Sequence, residues 1–214
     1  MLEYRSEELS EDQLAREREV KGGLAQSTRE LVDAVIRSTI DDEELGEIST
    51  QIETLTARLR TSQIEGSFGV ALSGDEVRNH GNAVVGLRNA IAPPLEVLKT
   101  DEGRAWADFT LGAAYEGPPG LVHGGVSALL LDQVFGEAAA AGGSPGMTGT
   151  LTLRYRRGTP LGNLHAEARI DRVEGVKTFV TGFIGDADGP TVEAEGIFIL
   201  PKWARDLFEP KPFE

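Results

Sequence analysis

The chain has no cysteine, which excludes disulfides, thiolate metal sites and a cysteine nucleophile. Histidine is almost as scarce. His80, His123 and His165 are the only three, and none stands at the paired spacing of a metal site, so no metal or other cofactor is expected. No run of apolar residues is long enough to span a bilayer. The opening residues, Met1 to Glu8, are acidic and lack the apolar stretch of a secretory signal, which makes the cytoplasm the expected compartment. Phosphate-binding glycine loops of the P-loop and dinucleotide types are missing. Positive charge is also in short supply. A formal net charge of -14 argues against nucleic acid as a partner, because such binding needs many phosphate-neutralising cations.

What charge there is lies unevenly. Residues 1–65 carry 16 acidic and 8 basic side chains, whereas residues 154–177 hold Arg154, Arg156, Arg157, Arg169, Arg172 and Lys177 against only three acids. A basic island on an acidic protein suits one small anionic ligand. The first 65 residues read as helical. Ser10 with Gln13, Ser27 with Glu30, and Asp41 with Glu44 have capping-box spacing. Leu31, Val32, Val35 and Ile36 form one apolar stripe, and Leu45, Ile48, Ile52 and Leu55 form a second. The short link Thr39 to Asp42 predicts an antiparallel helical hairpin, covering its own domain or a neighbouring subunit.

After Gly66 the texture turns to glycine, β-branched residues and turns. Alternation predicts strands at Ala105–Leu111, Thr150–Arg156, Leu164–Asp171, Lys177–Ile184 and Thr191–Leu200, linked as an antiparallel meander. Ahead of most of them comes the most informative segment. Pro118 to Gly125 is a glycine-rich turn, and Val126 to Ala141 is apolar almost all round. A helix of that kind is expected to be buried on every face, yet it carries Asp132 near its middle. A buried carboxylate needs a partner, a shifted pKa or a task. The expected architecture is α+β: an antiparallel sheet wrapped around one long central helix. The expected division is a helical extension at 1–65, the main domain at 66–202 and a loose tail at 203–214.

His123-Gly124-Gly125 with Asp132 nine residues after the histidine, Thr148 in Met147-Thr148-Gly149-Thr150-Leu151, Arg154-Tyr155-Arg156-Arg157, and Val173-Glu174-Gly175-Val176-Lys177 together resemble the hotdog fold. Within it they resemble the PaaI-type acyl-CoA thioesterases, over about residues 86–200. The strand of Tyr155 resembles the family's "YxRP", with Gly158 where a proline is usual. The later segment resembles "VEGRK", with Val176 in place of an arginine. The resemblance implies hydrolysis of an acyl-CoA to a free acid and CoA, with coenzyme A contacts from Arg154, Arg156, Arg157 and Lys177, which otherwise read as a solvated face. Asp132 is the natural general base, or the nucleophile. Backbone N–H groups of Gly124 and Gly125, at the start of the helix, suit an oxyanion. His123 suits a positioning role. Thr148 either orients the water or Asp132, or is only a residue at a strand start.

Nine residues of α-helix rise about 13.5 Å and turn through about 180°. His123 and Asp132 of one chain therefore do not meet at one small site, and the spacing predicts a homodimer, or a dimer of dimers, with composite sites. Two rivals remain: a non-catalytic acyl-CoA sensor acting through its N-terminal helices, and hydration of an enoyl thioester. Gly142-Gly143-Ser144-Pro145-Gly146 fits the G-x-S-x-G nucleophile elbow, but it leaves a helix and enters a strand, the reverse of that elbow.

Overall fold

The computed structural model describes residues 4–74 and 76–205, so most of the expected tail, 206–214, lies outside the described residues. The chain divides into two compact units, Met1–Ile91 and Ala92–Glu214. The division falls at 91/92 rather than at 65/66. The first strands after Gly66, β2 (Val70–Ser73) and β3 (Glu76–Arg78), form a small sheet with β1 (Tyr4–Ser6).

The first unit is built on helices. Ser10 caps α1 (Glu11–Glu17) with a complete capping box: the Gln13 N–H donates to Ser10 Oγ, and the Ser10 N–H to Gln13 Oε1. Asp41 caps α3 (Asp42–Arg60) by accepting from the N–H groups of Glu43 and Glu44. Ser27 caps nothing. It lies inside α2 (Gly23–Arg37), because a wide π-helical turn over Arg18–Gly22 carries the backbone from α1 into α2 without a break. Arg78, 3% exposed, anchors this unit by donating to Glu7 at 2.6 Å and to the buried Glu17. Burial pushes the Glu17 carboxyl up, but hydrogen bonds from Lys21 and Arg78 outweigh it and hold it below its ordinary value. The expected hairpin is not formed. α3 buries none of its residues, and the apolar stripes of α2 and α3 are not packed against one another.

The second unit is a six-stranded antiparallel sheet with one helix across it. Its strands are β4 (Leu98–Thr100), β5 (Arg104–Leu111), β6 (Met147–Tyr155), β7 (Gly162–Glu174), β8 (Lys177–Asp186) and β9 (Gly189–Ile199), in the order β4-β5-β7-β8-β9-β6. Only β7, β8 and β9 form a meander. β6 joins the far edge beside β9, so a crossover separates it from β7. Alternation is clear in β5 and β7, where Ala105, Ala107, Leu164, Ala166 and Ala168 are buried beneath α4 (Gly124–Ala141). From the helix, Leu130, Leu131, Val134, Phe135, Ala138 and Ala139 are fully buried. The sheet makes room for the largest of them with two glycines. A Cβ on Gly182 of β8 would lie 2.6 Å from the Phe135 ring, and one on Gly196 of β9 would lie 2.8 Å from it. The ring fills the space those two side chains would take.

Candidate active site

The turn before α4 is fixed almost entirely by backbone. Gly120 takes φ +73° after Pro118-Pro119, and the Leu121 N–H donates to Pro118 O at 2.9 Å, as a type II turn requires. Glu116 Oε1 accepts the Gly120 N–H, and the His123 N–H donates to Tyr115 O at 2.9 Å. A Cβ on Gly117 would lie 2.8 Å from His123 Cα, so this close approach requires glycine. His123 is thereby placed as the N-cap of α4. Its Nδ1 accepts the Gly125 N–H at 3.0 Å, which leaves the hydrogen of a neutral ring on Nε2. The Gly125 amide is therefore engaged. Among the described residues, no acceptor takes the Gly124 N–H. Tyr155, which the sequence marks only as a strand residue beside the arginines, donates its O–H to Gly124 O at 2.9 Å.

Asp132 lies two and a half turns along the helix and is half-buried, because α4 is not enclosed on every side. Leu129 is 43% exposed, and Gly125, Leu129 and Ala140 lie open along one stripe with the half-buried Asp132, Gln133 and Gly136. The reason is the position of β6, an edge strand with no neighbour on its outer side, exposed over most of its length. Thr148 Oγ1 donates to Asp132 Oδ1 at 2.7 Å. A bulge makes that contact. The β6–β9 register shifts between Thr148 and Thr150, so Gly149 stands unpaired. Thr150 and Thr152 point away from the helix, and without the extra residue Thr148 would follow them.

The four expected substrate-binding cations do not converge within one chain. Arg154 is opposite Glu193 and Lys177 is opposite Ile199 on β9, a separation of six residues, or about 20 Å of strand. Arg156 donates to Glu193 Oε2 at 2.8 Å. Arg157 forms a two-pronged pair with Asp186 and also donates to Gly189 O at 2.9 Å, bracing the β8–β9 turn. Those hydrogen bonds hold the Asp186 carboxyl at about 2. Arg154 lines a trough of about 430 Å³ with Thr152, Arg169, Thr181, Phe183 and Glu193 on the sheet face turned away from α4; Asp132 is not part of it. Lys177 lies at the Thr148 end of the sheet and the three arginines at the Tyr155 end. On the α4 side of the sheet the expected residues thus fall into two groups, Asp132 with Thr148 and His123 with Gly124 and Tyr155, while Lys177, Arg154 and Arg156 point to the other face. Among the described residues, no group of three or more His, Asp or Glu side chains is placed to hold a metal ion.

Known proteins share this fold. The profile of the Thioesterase superfamily matches residues 119–193, from the turn before α4 into β9. The crystal structure of a thioesterase superfamily protein superposes with a TM-score of 0.75 at 34% identity, covering 84% of this chain and 90% of that one. The chain belongs to the thioesterase superfamily. Its fold is the hotdog fold. That coverage exceeds the whole of Ala92–Glu214, so the likeness reaches into the first unit. Acyl-coenzyme A thioesterase THEM4 of Bos taurus is 33% identical over 102 residues, 46% of this chain and 42% of that protein. Acyl-coenzyme A thioesterase THEM5 of Homo sapiens is 31% identical over 94 residues, 42% of this chain and 38% of that protein. The chain therefore spans about two fifths of the length of the curated relatives it matches.

Proposed function

We propose that the protein is a PaaI-type thioesterase that hydrolyses acyl-CoA to a free carboxylic acid and CoA, at sites shared between two copies. The observation that carries this reading is the Thr148–Asp132 hydrogen bond, held on the open stripe of α4 beside the unpaired edge of β6. Thr148 occupies one carboxylate oxygen and leaves the other for a water molecule. Asp132 takes a proton from that water as the oxygen attacks the thioester carbonyl carbon. The Gly124 N–H and His123 Nε2–H of the second copy receive the developing oxyanion, while the Gly125 N–H holds the imidazole in the required tautomer. Collapse breaks the C–S bond, and the proton on Asp132 passes to the leaving thiolate. The alternative has Asp132 attack the carbonyl carbon directly, expelling the thiolate and forming a mixed anhydride that water then hydrolyses.

Lys177 stands at the Thr148 end of the sheet and Arg154, Arg156 and Arg157 at the Tyr155 end, with Lys177, Arg154 and Arg156 on the face turned away from α4. The names of the curated relatives support acyl-CoA as the substrate class. The test is thiol release from a panel of acyl-CoA esters by wild type and by Asp132→Ala. We expect turnover to fall by about 10²–10⁴-fold with the melting temperature preserved. A variant that retains near-wild-type turnover overturns the reading.

A further inference from the structure

We infer that α3 pairs antiparallel with α3 of a second copy of this chain. Its apolar residues, exposed at Leu45, Leu55 and Leu59 and half-buried at Ile48 and Ile52, are not scattered. Leu45, Ile48, Ile52, Leu55 and Leu59 follow one another at intervals of three, four, three and four, the seam of a two-stranded coiled coil. Leu55 is 55% exposed and Leu59 is 56% exposed, and among the described residues α3 packs extensively against no other element of its own unit.

Charge selects the occupant and its direction. The first turns of α3 carry Asp42, Glu43, Glu44 and Glu47, and the last turn carries Arg58 and Arg60. A parallel pair would stack acid on acid and base on base. An antiparallel pair sets the acidic end of each copy beside the basic end of the other. With Leu45 level with the partner copy's Leu55, and Ile48 with its Ile52, four apolar layers close about one twofold axis. In that register Glu44 and Arg58 occupy the same flanking position, and each faces the other across the seam, once on either side of Gln51. The same surface on both copies is complementary to itself, as a twofold interface demands.

The absence of cysteine gives a clean experiment on the full chain. A nitroxide label on Gln51→Cys sits near the proposed twofold axis. One on Glu43→Cys sits near the helix end, where the two copies' labels are separated by about 21 Å along the axis. Pulsed dipolar spectroscopy is expected to give a short, narrow distance at position 51 and a clearly longer one at position 43. Ile52→Asp is expected to abolish the short distance. Glu44→Arg alone should weaken it, and Glu44→Arg with Arg58→Glu should restore it. Equal distances at both positions (a parallel pair), no dipolar coupling at position 51, or a double reversal no better than the single one would each overturn the proposal. None of these readouts depends on Asp132 or on turnover.

Discussion

The two ends of α4 solve different problems with different materials. At its start, main-chain bonds from the Leu121 N–H to Pro118 O and from the His123 N–H to Tyr115 O shape the turn, and Glu116, His123 and Tyr155 each add one side-chain bond to a main-chain group. Two and a half turns further on, the working parts are side chains alone, Asp132 and Thr148, brought together by a single bulge. The first end asks only one side chain, His123, to meet the substrate. The second hangs on two. If the two ends serve one reaction, they must do so from different copies, since about 13.5 Å of helix separates them.

Breaking that comparison outright calls for mixing. Asp132→Ala and His123→Ala are each expected to lose turnover by about 10²-fold or more, yet a co-refolded equal mixture should regain about a quarter of wild-type activity, since half the dimers then hold one intact site. A mixture no more active than its parts would place both ends in the same chain's site. Next in size is Thr148→Val. Removing a hydrogen bond to a carboxylate is expected to cost about 1.5–3 kcal/mol, or about 10–100-fold in kcat, with KM little changed. Tyr155→Phe removes a neutral hydrogen bond to the turn. A loss of about 0.5–1.5 kcal/mol, a few-fold in kcat, is expected, and a drop as large as that of Thr148→Val would remove the contrast between the ends.

The smallest effect is an acid one, and its sign is fixed. Because Arg157 depresses the Asp186 carboxyl from its ordinary 3.8 to about 2, the pair contributes stability above pH 4 and loses it as pH falls towards 2. Arg157→Gln should therefore melt below wild type at pH 6, with the difference shrinking by pH 2. A gap that stays constant across that range would mean that the bond to Gly189 O, and not the ion pair, braces the turn.

Much of this was legible because the relevant signals are local. Strand alternation in β5 and β7, the apolar run of α4 and the Pro-Pro-Gly turn each depend on neighbours within a few residues. The sequence also marked His123 and Asp132 as too far apart along one helix to share a site. What stayed hidden depends on counting across strands or on partners far along the chain. One extra residue at Gly149 reverses the face of Thr148, and period-two alternation alone cannot locate it. Ser27 and Glu30 have the spacing of a cap, but tertiary context keeps that helix continuous. The apolar stripes of α2 and α3 were correctly placed on helices; what covers them was not readable from period alone. Tyr155 looked like one more alternating side chain, since its partner, Gly124, is 31 residues away.

Phe135 sits where two strands lack side chains, like a key in a slot. A helix seated on a smooth sheet can roll or slip by a residue at modest cost, and each such step would swing Asp132 about 100° round the axis, away from Thr148. With Gly182 and Gly196 leaving only one berth for the ring, slipping would drive it into the backbone of β8 or β9. The direction in which the acid points is thus set by a buried neighbour three residues further along the helix, about 60° round it on the side that meets the sheet.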